Sequence, residues 1–340
     1  MKKPKNNQND MAVDYLIVGT GNIALRHLTN ITNKSSNKVI AVYKRFKNKL
    51  NNKFKEKGTH IVSNLDNIFP KTNKAIAVIC SAASMHINDA EHVAKKGFNI
   101  LLEKPLTIPG VRTRKLLTLC KDQKLKTLVG YNMRFMNRIN SVLNIIDNNN
   151  HGSIKEVEIS VDTDFRKWRK NLNYKKTVSF NKNLGGGVIN ELSHEVDYLN
   201  LLFGKPKTVI VNNKNTNSYN NIETHINAIF KYAKKYPSIK MNLNMLSSQT
   251  SRYCKIYYDN SFIKVDHIKN SISIKNDKQK TLKTYKDTSN DSYVKELNNL
   301  VKSIKDNISS ELPIEKCIST QNIINAMHKS IKSNKEELIS

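Results

Sequence analysis

A short apolar run, Tyr15-Leu16-Ile17-Val18, stops on Gly19-Thr20-Gly21 and gives way to a helix-like pattern from Asn22 to about Ile31. Few architectures tolerate a buried strand, a tight glycine turn and a helix start in such quick succession. Lacking a Cβ, glycine lets the backbone turn sharply and lets other groups come close. The helix N-terminus that follows carries unpaired N–H groups and favours negative charge. The combination cradles a pyrophosphate in a βαβ unit, provided a second strand arrives on schedule. Lys38 to Tyr43 meets that condition. Gly19, Gly21, Asn22, Ile23 and Ala24 are therefore candidate cofactor-binding residues.

The end of that second strand bears on which dinucleotide would bind. Sites for NAD(H) place Asp or Glu about 20 residues past the glycines, on the ribose 2′-hydroxyl. This chain has Tyr43-Lys44-Arg45 instead. Two cations suit a 2′-phosphate, so Lys44 and Arg45 predict NADP(H) over NAD(H), with NAD(H) the alternative if the two cations merely follow a lysine-rich composition.

Two more apolar runs, Ala75 to Cys80 and Asn99 to Leu102, flank a helical stretch ending near Lys96. Their length and continuous apolarity read as buried parallel strands. In an open α/β sheet ligands bind at the carboxyl ends of strands. Ser81, Ala82 and His86 follow the first run, and Glu103-Lys104-Pro105 follows the second. All but the proline join the cofactor candidates, and the Lys104-Pro105 bond is a candidate for the cis form. A further strand at Thr127 to Val129 leads into Gly130-Tyr131-Asn132-Met133-Arg134-Phe135, placing Asn132, a further cofactor candidate, and Arg134 at another strand end.

The densest chemistry lies at Gly185-Gly186-Gly187-Val188-Ile189-Asn190-Glu191-Leu192-Ser193-His194-Glu195-Val196-Asp197, in a chain with 11 glycines. If Glu191 to Asp197 is one helix, Glu191, His194 and Asp197 share a face with Asn190 and Tyr198. Such a face suits proton transfer, although a solvated His–Asp pair is the plainer reading.

Taken together, Gly19-x-Gly21-x-x-Ala24, Glu103-Lys104-Pro105, Gly130-Tyr131-Asn132-x-Arg134-Phe135 and Gly185-Gly186-Gly187 with His194-x-x-Asp197 resemble the glucose-fructose oxidoreductase, inositol dehydrogenase and MocA family in order and approximate spacing. The resemblance implies an N-terminal Rossmann domain with a doubly wound parallel sheet and a C-terminal α/β domain with a large open mixed or antiparallel sheet. It implies a nicotinamide-dependent oxidoreductase acting on a carbinol or carbonyl carbon of a sugar, sugar acid or nucleotide sugar, with a role in surface polysaccharide or acidic sugar synthesis. Lys104 would bind the reacting oxygen and His194 would shuttle its proton. A histidine suits that exchange near neutrality, and a lysine ammonium would stabilise a developing alkoxide. Many members carry Asp four residues before the histidine, where this chain has Asn190, so Glu191 is the candidate replacement. Asn190, Arg134 and the segment Phe165-Arg166-Lys167-Trp168-Arg169 are candidate substrate contacts, since Trp168 and Arg169 suit an anionic group on a sugar. A non-catalytic dinucleotide-binding sensor or scaffold on the same fold is the alternative.

Length and composition set limits on these readings. At 340 residues the chain suits two domains. The expected division is a disordered segment over 1–11, a dinucleotide-binding domain over 12–130 and a substrate and oligomerisation domain over 131–340, with the C-terminal helix packing back on the first domain. A helix is expected over 137–148, strands over 154–162, 208–212, 224–231, 239–246, 254–258 and 262–266, and closing helices over 292–307 and 315–332. Cys80, Cys120, Cys254 and Cys317 are scattered, which suggests neither a metal site nor a disulfide framework. No apolar stretch is long enough to span a membrane and no leader-like h-region opens the chain, so a cytoplasmic protein is expected. A formal charge of +29 invites a nucleic-acid partner, but the lysines are spread over both halves and no helix-turn-helix, zinc or aromatic-basic signature accompanies them. The expected partners are a small sugar-type substrate and further copies of the chain, as a dimer or tetramer.

Overall fold

The uniform apolarity of the early strands sets the first half of the fold. In the computed structural model, which describes residues 10–34, 38–45, 51–148, 151–168, 173–213, 221–233, 236–276 and 279–340, the chain divides into two units. The first contains Met1–Thr107, Val111–Gly130 and Tyr293–Cys317. Its strands are β1 (Met11–Val13), β2 (Tyr15–Val18), β3 (Ile40–Tyr43), β4 (His60–Val62), β5 (Ile68–Pro70), β6 (Ile76–Ile79), β7 (Asn99–Glu103) and β8 (Thr127–Gly130). Six form a parallel sheet in the order β4-β3-β2-β6-β7-β8, and β1 pairs with β5 alone. Every residue of β6, β7 and β8 is buried, as expected for strands covered on both faces. The helices α1 (Asn22–Thr32), α2 (Lys53–Glu56), α3 (His86–Lys95) and α4 (Arg114–Asp122) connect the strands. The chain runs outward from β2 to β4, then returns to β6, so the switch point lies between β2 and β6, where the glycine turn begins.

The second unit contains Ile108–Gly110, Tyr131–Ser292 and Ile318–Ser340. Its strands are β9 (Ile154–Asp164), β10 (Thr208–Asn213), β11 (His225–Lys231), β12 (Ile239–Asn244), β13 (Leu246–Tyr258), β14 (Ser261–Asp266), β15 (Ser271–Asn276), β16 (Lys280–Thr284) and β17 (Glu337–Leu338). They form a nine-stranded mixed sheet in the order β16-β15-β14-β13-β9-β12-β11-β10-β17, parallel only at β12–β9. Alternation in the sequence sets its two faces: Ile226, Ala228 and Phe230 of β11 and Ile239, Met241 and Leu243 of β12 are buried, while their neighbours are not. The helices of the chain's second half are α5 (Asn137–Asn148), α6 (Phe165–Trp168), α7 (Val188–Glu191), α8 (Ser193–Phe203), α9 (Ser289–Lys305) and α10 (Ile314–Ser333). Ile139 and Val142 of α5, Val196 and Leu199 of α8, and Ile323 and Met327 of α10 share one apolar core with the buried face of the sheet.

Both sheets follow the expected classes, and α5 has the bounds read from the sequence. Three details differ. Met11 lies in a strand, not in a disordered segment, while residues 1–9 lie outside the described residues. β13 begins at Leu246 and carries a register irregularity between Leu246 and Ser251, which hid its first half from a period-two reading. β15 and β16 were not foreseen; β16, Lys280 to Thr284, is exposed throughout and carries too few apolar residues to show a face.

Candidate functional site

In the first unit, backbone geometry organises the carboxyl edge of the parallel sheet. Gly19 has φ of 120°, and a Cβ there would lie 2.8 Å from the Cys80 carbonyl oxygen at the end of β6. Its N–H donates to the Tyr43 carbonyl at the end of β3 (3.2 Å), so this one glycine ties the turn to the strands on either side. Gly21 is the N-cap of α1 and is exposed, with no atom within 4 Å of an added Cβ. Asn22 is exposed, Ile23 half-buried and Ala24 fully buried, and the first turn of α1 holds no acidic residue. Open space beyond Gly21, a helix N-terminus and no competing carboxylate in that turn fit a dinucleotide pyrophosphate.

His86 braces the neighbouring loops. Its Nδ1 lies 2.8 Å from the Pro105 carbonyl oxygen and its Nε2 3.0 Å from that of Ser81, so one buried ring spans the segments leaving β6 and β7. Burial pulls its pKa down, against the two carbonyl acceptors. Lys104 is half-buried and joined to Pro105 by a cis peptide bond. Glu103 faces inward: its Oε1 is 2.8 Å from His27 Nε2, and its Oε2 accepts from the Lys104 peptide N–H at 3.3 Å. The cations at the end of β3 differ from each other. Arg45 lies over the Tyr43 ring and forms an ion pair with the buried Asp89 of α3, whereas Lys44 is half-buried.

In the second unit, side-chain pairing replaces backbone geometry. Gly185, Gly186 and Gly187 are buried, and a Cβ on Gly186 would lie 2.5 Å from the Ser179 carbonyl oxygen. The next segment is not the single helix that the sequence suggested. It breaks at Leu192 (φ −101°, ψ 27°), which ends α7 and begins α8. Glu191 therefore ends one helix while His194 opens the next, and the expected common face does not form. Asn190 is buried, donating to the Gly185 carbonyl (3.1 Å) and accepting from His328 Nε2 (3.1 Å). Burial, with Lys332 and Lys182 adding, pushes the His328 pKa down to about 4, so a neutral Nε2–H donates. Asp197 receives both Nε and Nη2 of Arg134 (2.7 and 2.9 Å) and the Thr320 hydroxyl (3.0 Å). Arg134, expected at substrate, pairs with Asp197 through both of these bonds. Asn132, expected at cofactor, is buried and donates to the Ser292 hydroxyl (2.8 Å). His194 is half-buried and meets the Tyr131 ring edge to face at 5.7 Å. Arg169 and the Trp168 side chain lie outside the described residues.

Two acids escaped the sequence reading. Glu195, fully buried, takes both Nε and Nη2 of Arg252 (2.7 and 3.1 Å). Glu223 lies beneath Gly187, and burial pushes its pKa up to about 7 against N–H bonds that include one from Ile189. A carboxyl in a polar stretch gives no signal of such burial. The four cysteines are all free and buried, and burial drives the thiol pKa of Cys80 upward and those of Cys120 and Cys254 to about 12.

The chain belongs to the glucose-fructose oxidoreductase, inositol dehydrogenase and MocA family of oxidoreductases. Residues 13–131 match its NAD-binding Rossmann-fold domain and residues 144–338 its C-terminal alpha/beta domain. Among curated proteins it is 26% identical over 196 residues to the inositol 2-dehydrogenase of Rhizobium meliloti, a match covering 57% of this chain and 56% of that protein. The chain thus matches little more than half the length of this relative. Two solved structures share the fold. The WlbA dehydrogenase from Bordetella pertussis, in complex with NADH and UDP-GlcNAcA, superposes with a TM-score of 0.79 at 16% identity, covering 97% of this chain and 99% of that one. An oxidoreductase from Agrobacterium radiobacter, in complex with NAD+, L-tartaric acid and magnesium, gives 0.80 at 12% identity, covering 97% and 99%. Among the described residues, no helix is long and apolar enough to cross a membrane.

Proposed function

We propose that this chain is a nicotinamide-dependent oxidoreductase working on a carbinol or carbonyl carbon of a sugar, sugar acid or nucleotide sugar. The observation that carries the reading is the open Gly21 turn at the α1 N-terminus, placed at the switch point of the parallel sheet. When bound there, the dinucleotide supplies hydride exchange, and the protein supplies position and charge. Gly19 shapes the turn, while Gly21 and the first N–H groups of α1 hold the pyrophosphate. Lys104 binds the reacting oxygen and stabilises negative charge on it. His194 takes up or returns the proton of that oxygen, a task for which imidazole is suited near neutral pH. The sugar class draws on the inositol 2-dehydrogenase relative and on the nucleotide sugar held by the Bordetella pertussis protein.

The reading extends to NADP(H) over NAD(H). It rests chiefly on Lys44, because Arg45 must exchange Asp89 for a 2′-phosphate before it can contribute. It extends also to self-association as a dimer or tetramer, which light scattering on the purified chain measures directly.

The deciding experiment measures melting temperature with NADPH, NADP, NADH and NAD, on the wild type and on Lys44→Asp. A ligand at a hundredfold excess over its Kd stabilises by about 2.7 kcal/mol. The expected result is the largest shift with NADPH, shrinking in Lys44→Asp. Equal or tighter binding of NADH removes the NADP preference. No shift with any of the four, in folded and cofactor-free protein, removes the oxidoreductase reading. Turnover of sugars that is lost in Lys104→Ala and His194→Ala separates an enzyme from a dinucleotide-binding sensor.

A further inference from the structure

Three ionisable side chains converge behind the strand end that carries Lys104. His27 on α1, Glu103 at the end of β7 and Glu296 on α9 are all buried, and one donor atom from each lies within 4.8 Å of the other two. Glu103 is gripped by His27 Nε2 at Oε1 and by the Lys104 peptide N–H at Oε2. Gly130 stands opposite Glu103 in register, and a Cβ there would lie 3.3 Å from the Glu103 Cα and 3.4 Å from its carboxylate, so the two residues pack closely. Glu296 is fully buried, yet neither of its oxygens has a hydrogen-bond partner among the described residues. An orphaned buried carboxyl is rare and calls for an explanation.

The groups facing it narrow the choice. From α1 come His27 and, one position earlier, Arg26, which lies over the Tyr293 ring at 4.7 Å. Tyr293, one turn before Glu296 on α9, meets the His27 ring edge on at 5.8 Å. Cys80 follows β6, and its thiol pKa is driven up by burial with Glu103 and Glu296 adding. Glu103 completes the set. Arg26 engages the tyrosine face, and His27 engages Glu103. Burial first, and Glu103 second, hold the Glu296 pKa well above the usual carboxyl range. A proton on Glu296 removes the repulsion between two carboxyl groups whose oxygens lie within 4.8 Å of each other.

We propose that His27 and Glu296 are positioning residues that clamp the Glu103 carboxylate from two sides and, through its bond to the Lys104 peptide N–H, fix the strand end from which Lys104 extends. Glu296 acts as an uncharged acid in this clamp, and the inference rests on Lys104, proposed to bind the reacting oxygen, also touching the cofactor as the sequence suggests.

The test combines a double-mutant cycle with a pH series on the full chain. NADPH affinity is measured for the wild type, Glu296→Leu, Lys104→Ala and the double variant, alongside Glu296→Gln. Glu296→Leu is expected to weaken NADPH binding about tenfold, with little further loss in combination with Lys104→Ala, because coupled residues do not add. Glu296→Gln, which keeps shape and neutrality, should restore affinity. The folded wild type retains a proton that the unfolded chain releases above the ordinary carboxyl range, so its stability should fall as pH rises. Glu296→Gln lacks that proton, so its melting advantage over the wild type should grow with pH. Should Glu296→Leu fail to fold, His27→Asn replaces it in the cycle. Independent losses in the cycle, or Glu296→Gln as damaging as Glu296→Leu, would overturn the clamp. So would a stoichiometric divalent metal in the wild type that Glu296→Gln loses, since the trio would then be a metal site. A wild type that binds no dinucleotide overturns the functional reading as well, whereas retained binding with additive losses overturns this inference alone.

Discussion

The two glycine segments look alike on paper and do opposite things. Gly21 is exposed, with no atom within 4 Å of where a Cβ would stand, so the chain leaves open space beside this backbone. Gly186 is buried against the carbonyls of Val178 and Ser179, so the chain uses the missing side chain to close on itself. The side chains that follow diverge in the same way. After Gly21 comes a helix start with no side-chain cap, whereas after Gly187 three polar groups find distant partners: Asn190 with His328, Asp197 with Arg134 and Thr320, Glu195 with Arg252. One segment leaves its backbone open, as the proposed pyrophosphate site requires, and the other ties its side chains to partners far along the chain.

The largest effect that could break this contrast belongs to His194. His194→Ala should lower turnover about 10²- to 10⁴-fold with little change in melting temperature, as expected of a proton-transfer group. A drop in melting temperature that accounts for the lost turnover would make His194 part of the frame. Next, Arg134→Ala strands a buried carboxylate and should lower unfolding free energy in urea by about 3–5 kcal/mol. An unaffected midpoint would show that Asp197 is not held as the structure shows. Glu223→Gln sharpens the same point through pH. With a folded pKa near 7 against about 4.3 unfolded, wild-type Glu223 holds more protons folded than unfolded in that window, so stability falls as pH rises through it. The glutamine variant should therefore melt higher than the wild type at pH 8 and no higher at pH 4. The smallest stability effect is expected at Gly21→Ala, within about 0.5 kcal/mol of the wild type, yet with weaker NADPH binding. Gly186→Ala should show the reverse, a lower midpoint with cofactor affinity intact, and equal behaviour of the two would erase the distinction.

This division also explains what could be read in the sequence. The parallel sheet was legible because β6 and β7 are apolar at nearly every position, and the glycine turn was legible because only backbone geometry is needed there. α5 was legible from its period. The pairings around His194 were not, because Arg134 and Asp197 are 63 residues apart and Asn190 and His328 are 138 apart, and no local pattern announces partners at such range. The break at Leu192 was hidden for a different reason. Leucine is a good helix former, and its position reflects tertiary packing that overrides propensity. β16 was missed because an exposed edge strand carries no buried face to betray it.

The buried thiols have a use beyond structure. Cys80, Cys120 and Cys317 belong to the first unit and Cys254 to the second, and all are hidden from solvent. A thiol reagent can reach them only when the surrounding element opens, so the rate of alkylation at each is a clock for local unfolding. Single-cysteine versions would time the two units separately, and a dinucleotide should slow the clocks at Cys80 and Cys120 before it slows the one at Cys254.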